Sequence, residues 1–218
     1  MKIRDLVEGR PADEDGTTIE LTWTSRDRLP VWIAGYGPKA LEMIGRIADG
    51  VILQLADPDL IRWFVSQLHD AAAAAGRDPA SIKVMAAAAA YVGPLAEGRE
   101  RTRWFPALVS NHVVELVNHS DPADLPPALT GYVRDRAGYD YRHHAEIGSS
   151  NAAFVGDEVI DRFCILGEPE DHVRKLRELA AAGVDQFNFY LMNGEEEHQL
   201  GRYARDVIPA MKDAAATA

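Results

Sequence analysis

The sequence predicts an α/β protein built on a parallel sheet. Three observations carry this reading. Compact apolar runs of strand length alternate with segments of helical periodicity, Gly or Pro marks most of the handovers, and the strands are almost continuously apolar. Strands of that composition belong to parallel sheets, whose crossover helices cover both faces.

Taken in order, Ile3, Leu6 and Val7 predict the last turns of a helix stopped by Gly9 and Pro11. Residues 17–23 alternate polar and apolar side chains, which predicts a short half-buried strand. Residues 30–34 are a compact apolar strand, and Gly35-Tyr36-Gly37 is a turn. Pro38 then suits the first position of a helix, where its missing N–H costs nothing, and Leu41, Ile44 and Ile47 follow at helical spacing. Asp49-Gly50 ends that helix and residues 51–55 form a second buried strand.

Asp57-Pro58 reads as an N-cap with Pro at the next position, and Leu60, Ile61, Phe64, Val65 and Leu68 make the apolar face of a long helix that Gly76 stops. Residues 82–92 are a third strand, read so from context because their alanines favour helix. From Pro94 to Asp161 the rhythm breaks. Residues 101–118 predict a helix, Pro122, Pro126 and Pro127 interrupt the chain, residues 129–136 suggest a shorter helix, and residues 148–151 form a loop. A connection this long points to a lid or binding insertion.

Regularity returns with Glu168-Pro169-Glu170-Asp171, which places acid in a helix first turn, followed by the stripe Val173, Leu176 and Leu179 and a stop at Gly183. Residues 184–191 are the fourth strand and residues 195–211 a final amphipathic helix. Two junctions, Ile47-Ala48-Asp49-Gly50-Val51 and Ala181-Ala182-Gly183-Val184, resemble each other as helix ends running into buried strands. Residues 1–218 therefore read as one domain: a lead-in over 1–28, a βαβαβ core over 29–93, an insertion or lid over 94–161, and the last βα units over 162–218. Four core strands are half of what a closed barrel needs, so the residues alone allow a small open sheet or part of a barrel.

Composition narrows the function. The 218 residues carry a formal net charge of -11, which repels phosphate backbones and argues against nucleic acid as a partner. A single cysteine, Cys164, rules out an internal disulfide and a multi-cysteine metal site, and its place in the apolar run Phe163-Cys164-Ile165-Leu166 reads as core. The N-terminal residues lack the apolar segment of a signal peptide, and no apolar stretch approaches the ~20 residues of a membrane span. The expectation is a cytoplasmic protein with no membrane partner.

The most informative stretch is Ala34-Gly35-Tyr36-Gly37-Pro38-Lys39, where a strand hands over to a helix. Two glycines would let the backbone take positive φ and approach a ligand, and the helix N-terminus beyond offers unpaired N–H groups to an anion. A phosphate or carboxylate cradle and an ordinary tight βα loop both satisfy this spacing. It is not the dinucleotide fingerprint, because Leu41 stands where that pattern wants a small residue. Lys39 reads first as a solvated lysine, His112 as a helix-surface residue with a substrate-facing role as the alternative, and the adjacent His143 and His144 as surface residues that point apart.

The run from Leu29 through Ala34-Gly35-Tyr36-Gly37-Pro38-Lys39 to Ile47-Ala48-Asp49-Gly50-Val51 resembles the central signature of the luciferase-like monooxygenase superfamily. Further matches are Asp161-Arg162-Phe163-Cys164-Ile165-Leu166-Gly167 with Glu168-Pro169-Glu170-Asp171, and Asp185-Gln186-Phe187-Asn188-Phe189-Tyr190-Leu191. The resemblance implies a TIM-type (β/α)8 barrel, represented here by roughly its C-terminal half, strands five to eight plus the insertion. It implies a flavin- or deazaflavin-dependent oxidoreductase, either an FMN-dependent monooxygenase or a reductase using coenzyme F420, acting on a small molecule and N-terminally truncated. It assigns the cofactor's phosphate-bearing tail to backbone groups of Ala34, Gly35, Tyr36 and Gly37, and a cofactor or substrate contact to Asn188. No catalytic acid or base and no metal ligand follows from it. The alternatives are a non-catalytic half-barrel that self-associates through its open edges, and a small α/β protein binding a phosphate ligand. A homo-oligomer is expected, since four parallel strands leave two edges unpaired.

Overall fold

The computed structural model describes residues 2–24, 27–118, 125, 140–143 and 146–215. Its centre is a five-stranded parallel sheet. β3 (Trp32–Ala34), β4 (Gly50–Leu53) and β5 (Lys83–Val92) lie side by side, and β7 (Gln186–Tyr190) pairs with the far side of β5. β6 (Ile165–Gly167) pairs with the last residues of β5, and the Ala56 N–H donates to the Phe163 carbonyl, so the chain leading into β6 meets the chain leaving β4.

The lead-in forms α1 (Lys2–Val7) and a two-stranded antiparallel hairpin, β1 (Ala12–Glu14) with β2 (Thr17–Ile19). Asp15 and Gly16 both take positive φ, the conformation a tight two-residue hairpin turn requires. The expected half-buried strand over residues 17–23 is corrected here: β2 has three residues, all exposed. Its alternation reflects hairpin pairing in solvent, not burial against the core.

α2 (Pro38–Ile47) and α3 (Pro58–Ala74) cover one face. Asp57 caps α3 as expected, accepting from the N–H groups of Asp59 and Leu60 at 2.9 and 3.1 Å, and Gly76 ends it at φ 71°. Leu60, Ile61, Phe64 and Leu68 are essentially without solvent contact, each contributing roughly 2 kcal/mol of burial. The two helices approach so closely that a Cβ at Gly45 would lie 2.8 Å from Ala71.

The alanine-rich β5 is the longest strand, paired on both sides, and its residues from Ala86 to Val92 are buried. Tertiary pairing overrides the helix preference of alanine here. After Pro94 the chain forms α4 (Leu95–Thr102) and α5 (Trp104–Asn118). The single helix expected over 101–118 is thus two helices meeting at Arg103, and the first starts six residues early. Pro122, Pro126, Pro127, His144 and residues 129–136 lie outside the described residues.

α6 (Asp157–Phe163) leads into β6, which the sequence reading took only as an apolar run. That is the second correction: five strands, not four, make the sheet. α7 (Pro169–Ala181) opens with a reciprocal capping box between Glu168 and Asp171. The C-terminal segment, α8 (Glu196–Arg202) and α9 (Ile208–Ala215), is joined by a π-helical stretch over Tyr203–Val207.

The two similar junctions have a shared structural basis. The Asp49 carboxylate accepts the Val31 N–H at 2.8 Å, and the Asp185 carboxylate accepts the Val84 N–H at 2.9 Å. Each aspartate therefore ties the start of its own strand to the strand beside it. Burial opposes ionisation of Asp49, but the Val31 N–H, Arg28 and Arg4 outweigh it and hold the carboxyl below the usual carboxylate range.

Candidate functional site

In a parallel sheet of this kind the loops at the C-terminal strand ends gather the chemistry. There the β3–α2 loop, the residue after β4 and helix α5 border a cavity of about 730 Å³. Its walls are Ala34, Gly35, Tyr36, Gly37, Pro38, Lys39 and Ala40 on one side and Gln54, His112 and Leu116 on the other. That volume suits a cofactor-sized ligand.

The loop wall leaves a helix N-terminus open. Gly37 is the N-cap of α2 and no side chain caps that helix, so its first-turn N–H groups have no partner within the helix. A Cβ at Gly37 would meet nothing within 4 Å, which leaves the backbone open to close approach. Gly35 serves a different purpose: a Cβ there would lie 2.9 Å from the Ala40 Cβ, so glycine lets β3 and α2 pack. Neither glycine takes positive φ, contrary to the expectation. The exposed Lys39 stands on the same wall and adds positive charge beside the helix N-terminus.

Tyr36 turns inward. Only 6% of it is exposed; its ring stacks on His112 with centroids 5.4 Å apart and meets Phe64 edge-on. Its hydroxyl accepts the Gln54 N–H at 2.6 Å. The Gln54 side chain then donates from Nε2 to the Tyr190 hydroxyl at 3.0 Å, while its Oε1 accepts from Tyr36 at a long 3.5 Å. A polar chain, Tyr36–Gln54–Tyr190, thus crosses the C-terminal ends of β3, β4 and β7. Burial pushes the Tyr36 phenol well above its ordinary range, so it remains protonated.

Tyr190 is held from above and behind. Phe105 and Trp104 of α5 pack on its ring, at 5.6 and 6.5 Å between centroids. The turn after it is tied to β5, because the Asn193 amide donates to the Ala90 carbonyl and Gln199 brackets Val92, accepting its N–H and donating to its carbonyl. The Trp104 indole N–H is buried and has no hydrogen-bond partner among the described residues. A buried donor left without an acceptor is costly, and here it sits beside the polar chain.

Of the five residues expected at a cofactor, Ala34, Gly35, Tyr36 and Gly37 line the cavity. Asn188 does not. It is paired with Ala87, exposed on the same sheet face as Tyr190 but one pleat closer to the strand's start. His112, read first as a surface residue, forms part of the wall. Gln54 was missed, although a lone polar residue closing an apolar strand was a usable signal. His143 is on the surface, with Nδ1 2.8 Å from the Glu146 carboxylate, whose hydrogen bond and then charge raise its pKa. Cys164 is buried, and burial pushes its thiol up to about 12, which leaves it inert. Among the described residues no three His, Cys, Asp or Glu side chains gather as a metal site, and no helix is long and apolar enough to cross a membrane.

Comparison with known proteins places this geometry in a family. Residues 2–186 match the model of the luciferase-like monooxygenases. The chain is similar to 5,10-methylenetetrahydromethanopterin reductase of Methanolobus tindarius, 27% identical over 198 residues that cover 84% of this chain and 56% of that protein. In structure it resembles the coenzyme F420-dependent tetrahydromethanopterin reductase of Methanopyrus kandleri, with TM-score 0.69 and 21% identity over 96% of this chain and 61% of the other. It also resembles an F420-dependent secondary alcohol dehydrogenase in complex with an F420–acetone adduct, with TM-score 0.66 and 18% identity, covering 96% and 58% of the two chains. The chain therefore spans about three-fifths of the length of these relatives, and the strands it contributes are part of a TIM-type (β/α)8 fold. With the glycine loop, the uncapped helix and the parallel sheet in place, the chain belongs to the luciferase-like monooxygenase family.

Proposed function

We propose that this protein is an oxidoreductase dependent on the deazaflavin coenzyme F420, and that the cavity beside the β3–α2 loop holds the coenzyme's phosphate-bearing tail. The observation that carries the reading is the uncapped N-terminus of α2, with open space beside Gly37, on the wall of a cofactor-sized cavity. A bound deazaflavin would supply hydride transfer; the chain supplies binding and orientation. The N–H groups at Gly37, Lys39 and Ala40 would hold a phosphate, with Lys39 adding charge. Tyr36 and His112, stacked on each other, give that end an aromatic wall. Gln54 and Tyr190 offer polar contacts toward the middle of the sheet.

The F420 dependence of the Methanopyrus kandleri reductase and of the secondary alcohol dehydrogenase favours the deazaflavin over FMN. A small carbonyl or pterin-like substrate is consistent with those relatives. The edge strands β3 and β7 each pair on one side only among the described residues, which supports self-association in solution. Fluorescence titration of the purified protein with coenzyme F420, and separately with FMN, tests the reading. Saturable binding of F420, tighter than that of FMN, is expected. A flat titration with both overturns it.

A further inference from the structure

We infer that the C-terminal helical run, residues 196–215, carries the contact surface for a second copy of this chain, and that two copies pack there antiparallel about a twofold axis at Ala204. This surface is separate from the sheet edges and from the candidate cofactor cavity.

α8, the π-helical stretch and α9 follow one another without a break and make a rod about 30 Å long. Two rows of side chains run along it, each with a repeat of four residues. Gln199, Tyr203 and Val207 form the inner row, all buried. Leu200, Ala204 and Ile208 stand one residue further round and face solvent, with Leu200 60% and Ile208 44% exposed. On an α-helix a four-residue repeat drifts by about 40° per step, so such a row would wind around the axis. The wider π-helical turn over Tyr203–Val207 takes back part of that drift. One distortion therefore straightens both rows. It keeps the inner one on the core and leaves the outer one as an apolar ridge.

The order of side chains along the ridge names its occupant. Leu200 and Ile208 lie four residues either side of Ala204, and the exposed Glu196 and Lys212 lie eight residues either side. Turned end for end, the ridge matches itself: Leu200 of one copy faces Ile208 of the other, the two Ala204 residues meet at the crossing, and Glu196 faces Lys212 at both ends. A parallel pair would set Glu196 against Glu196 and Lys212 against Lys212, so charge selects the antiparallel pair. One patch serving both copies is the closed, twofold form of association. Small residues permit close approach, because Ala204 stands at the crossing and a Cβ at the neighbouring Gly201 would meet nothing within 4 Å. The chain's net charge of -11 repels a second copy over most of the surface, whereas the ridge is balanced. A single helix pair buries little area, so the dimer is a weak one that dissociates on dilution.

The test is sedimentation velocity on the whole chain over a dilution series. The wild-type protein is expected to pass from dimer to monomer. Ala204→Glu sets two like charges at the crossing and is expected to weaken the dimer by about tenfold or more. Glu196→Lys and Lys212→Glu each place like charges together at both ends, and each is expected to weaken it about tenfold at low ionic strength and less in added salt. An equimolar mixture of these two variants restores opposite charges at both ends and is expected to form heterodimers as stable as the wild-type dimer. Circular dichroism melting checks that each variant is folded. The Glu196 carboxylate also accepts the Gly194 N–H at 3.0 Å, so if Glu196→Lys melts early, Lys212→Glu and Ala204→Glu decide. Monomer at every concentration overturns the inference, as does a dimer that none of the substitutions weakens, which would assign association to the sheet edges. Weakening by Ala204→Glu with no effect of the charge substitutions overturns the antiparallel packing.

Discussion

His172 and Tyr203 form a buried hydrogen bond, with the imidazole Nδ1 2.8 Å from the tyrosine hydroxyl. The other ring nitrogen, Nε2, lies 3.0 Å from the Tyr91 carbonyl, which can only accept. Nε2 therefore carries the proton, Nδ1 accepts from Tyr203, and the ring is neutral. The contact joins α7 to the C-terminal segment and to the end of β5.

Burial lowers the His172 pKa to about 4, against an ordinary 6.5. Between those values the unfolded chain binds a proton that the folded one does not. The stability this group contributes is thus complete above pH 6.5 and is lost as the pH falls toward 4. The gap corresponds to about 3 kcal/mol. Chemical denaturation from pH 7 to 4 should show that slope in the wild-type protein and a shallower one in His172→Gln. Equal slopes would mean that His172 is not held neutral.

Gly35 and Gly37 should separate packing from binding. Gly35→Ala places a methyl 2.9 Å from the Ala40 Cβ and 3.4 Å from Ile44, and overpacking of this kind costs about 1–3 kcal/mol, read as a lower Tm. Gly37→Val meets no atom within 4 Å and keeps an extended N-cap backbone, so its stability should stay within about 1 kcal/mol of wild type. Its affinity for a phosphate-bearing ligand should fall, because the side chain occupies the approach to the helix N-terminus. Retained affinity in Gly37→Val would remove that loop from the site.

Much of this arrangement was legible in the sequence because it rests on local chemistry. Asp57-Pro58 announced a helix start, Gly76 its end, and Pro38 after Gly37 the handover that the cavity occupies. What escaped notice depends on contacts distant in sequence. β6 is a three-residue strand that exists because the end of β5 extends beyond β4 and offers a free ladder. Gln54 joins the site only because the loop after β3 and the end of β7 bring Tyr36 and Tyr190 to it from 18 and 136 residues away. His112 joined the wall because α5 folds back over the sheet end, a placement that helical periodicity cannot report.

Asp57 offers a test of the core's local logic. It caps α3 and also pairs with Arg162 through a buried carboxylate. Arg162 is 38% exposed at its side chain and can rehydrate, so the cap is the larger contribution. Asp57→Ala should cost about 1–2 kcal/mol in a denaturant titration. Asp57→Asn keeps the capping oxygen and should cost clearly less; equal losses would assign the stability to the ion pair instead.

The central claim is that the N-terminus of α2 receives the phosphate of a deazaflavin. It is tested most directly by following the backbone amide resonances of Gly37, Lys39 and Ala40 in 15N-labelled protein during titration with coenzyme F420. The account predicts large, saturable shifts at these three amides, reproduced in part by inorganic phosphate and reduced in Gly37→Val. Saturable binding of F420 that leaves these amides unmoved would contradict it.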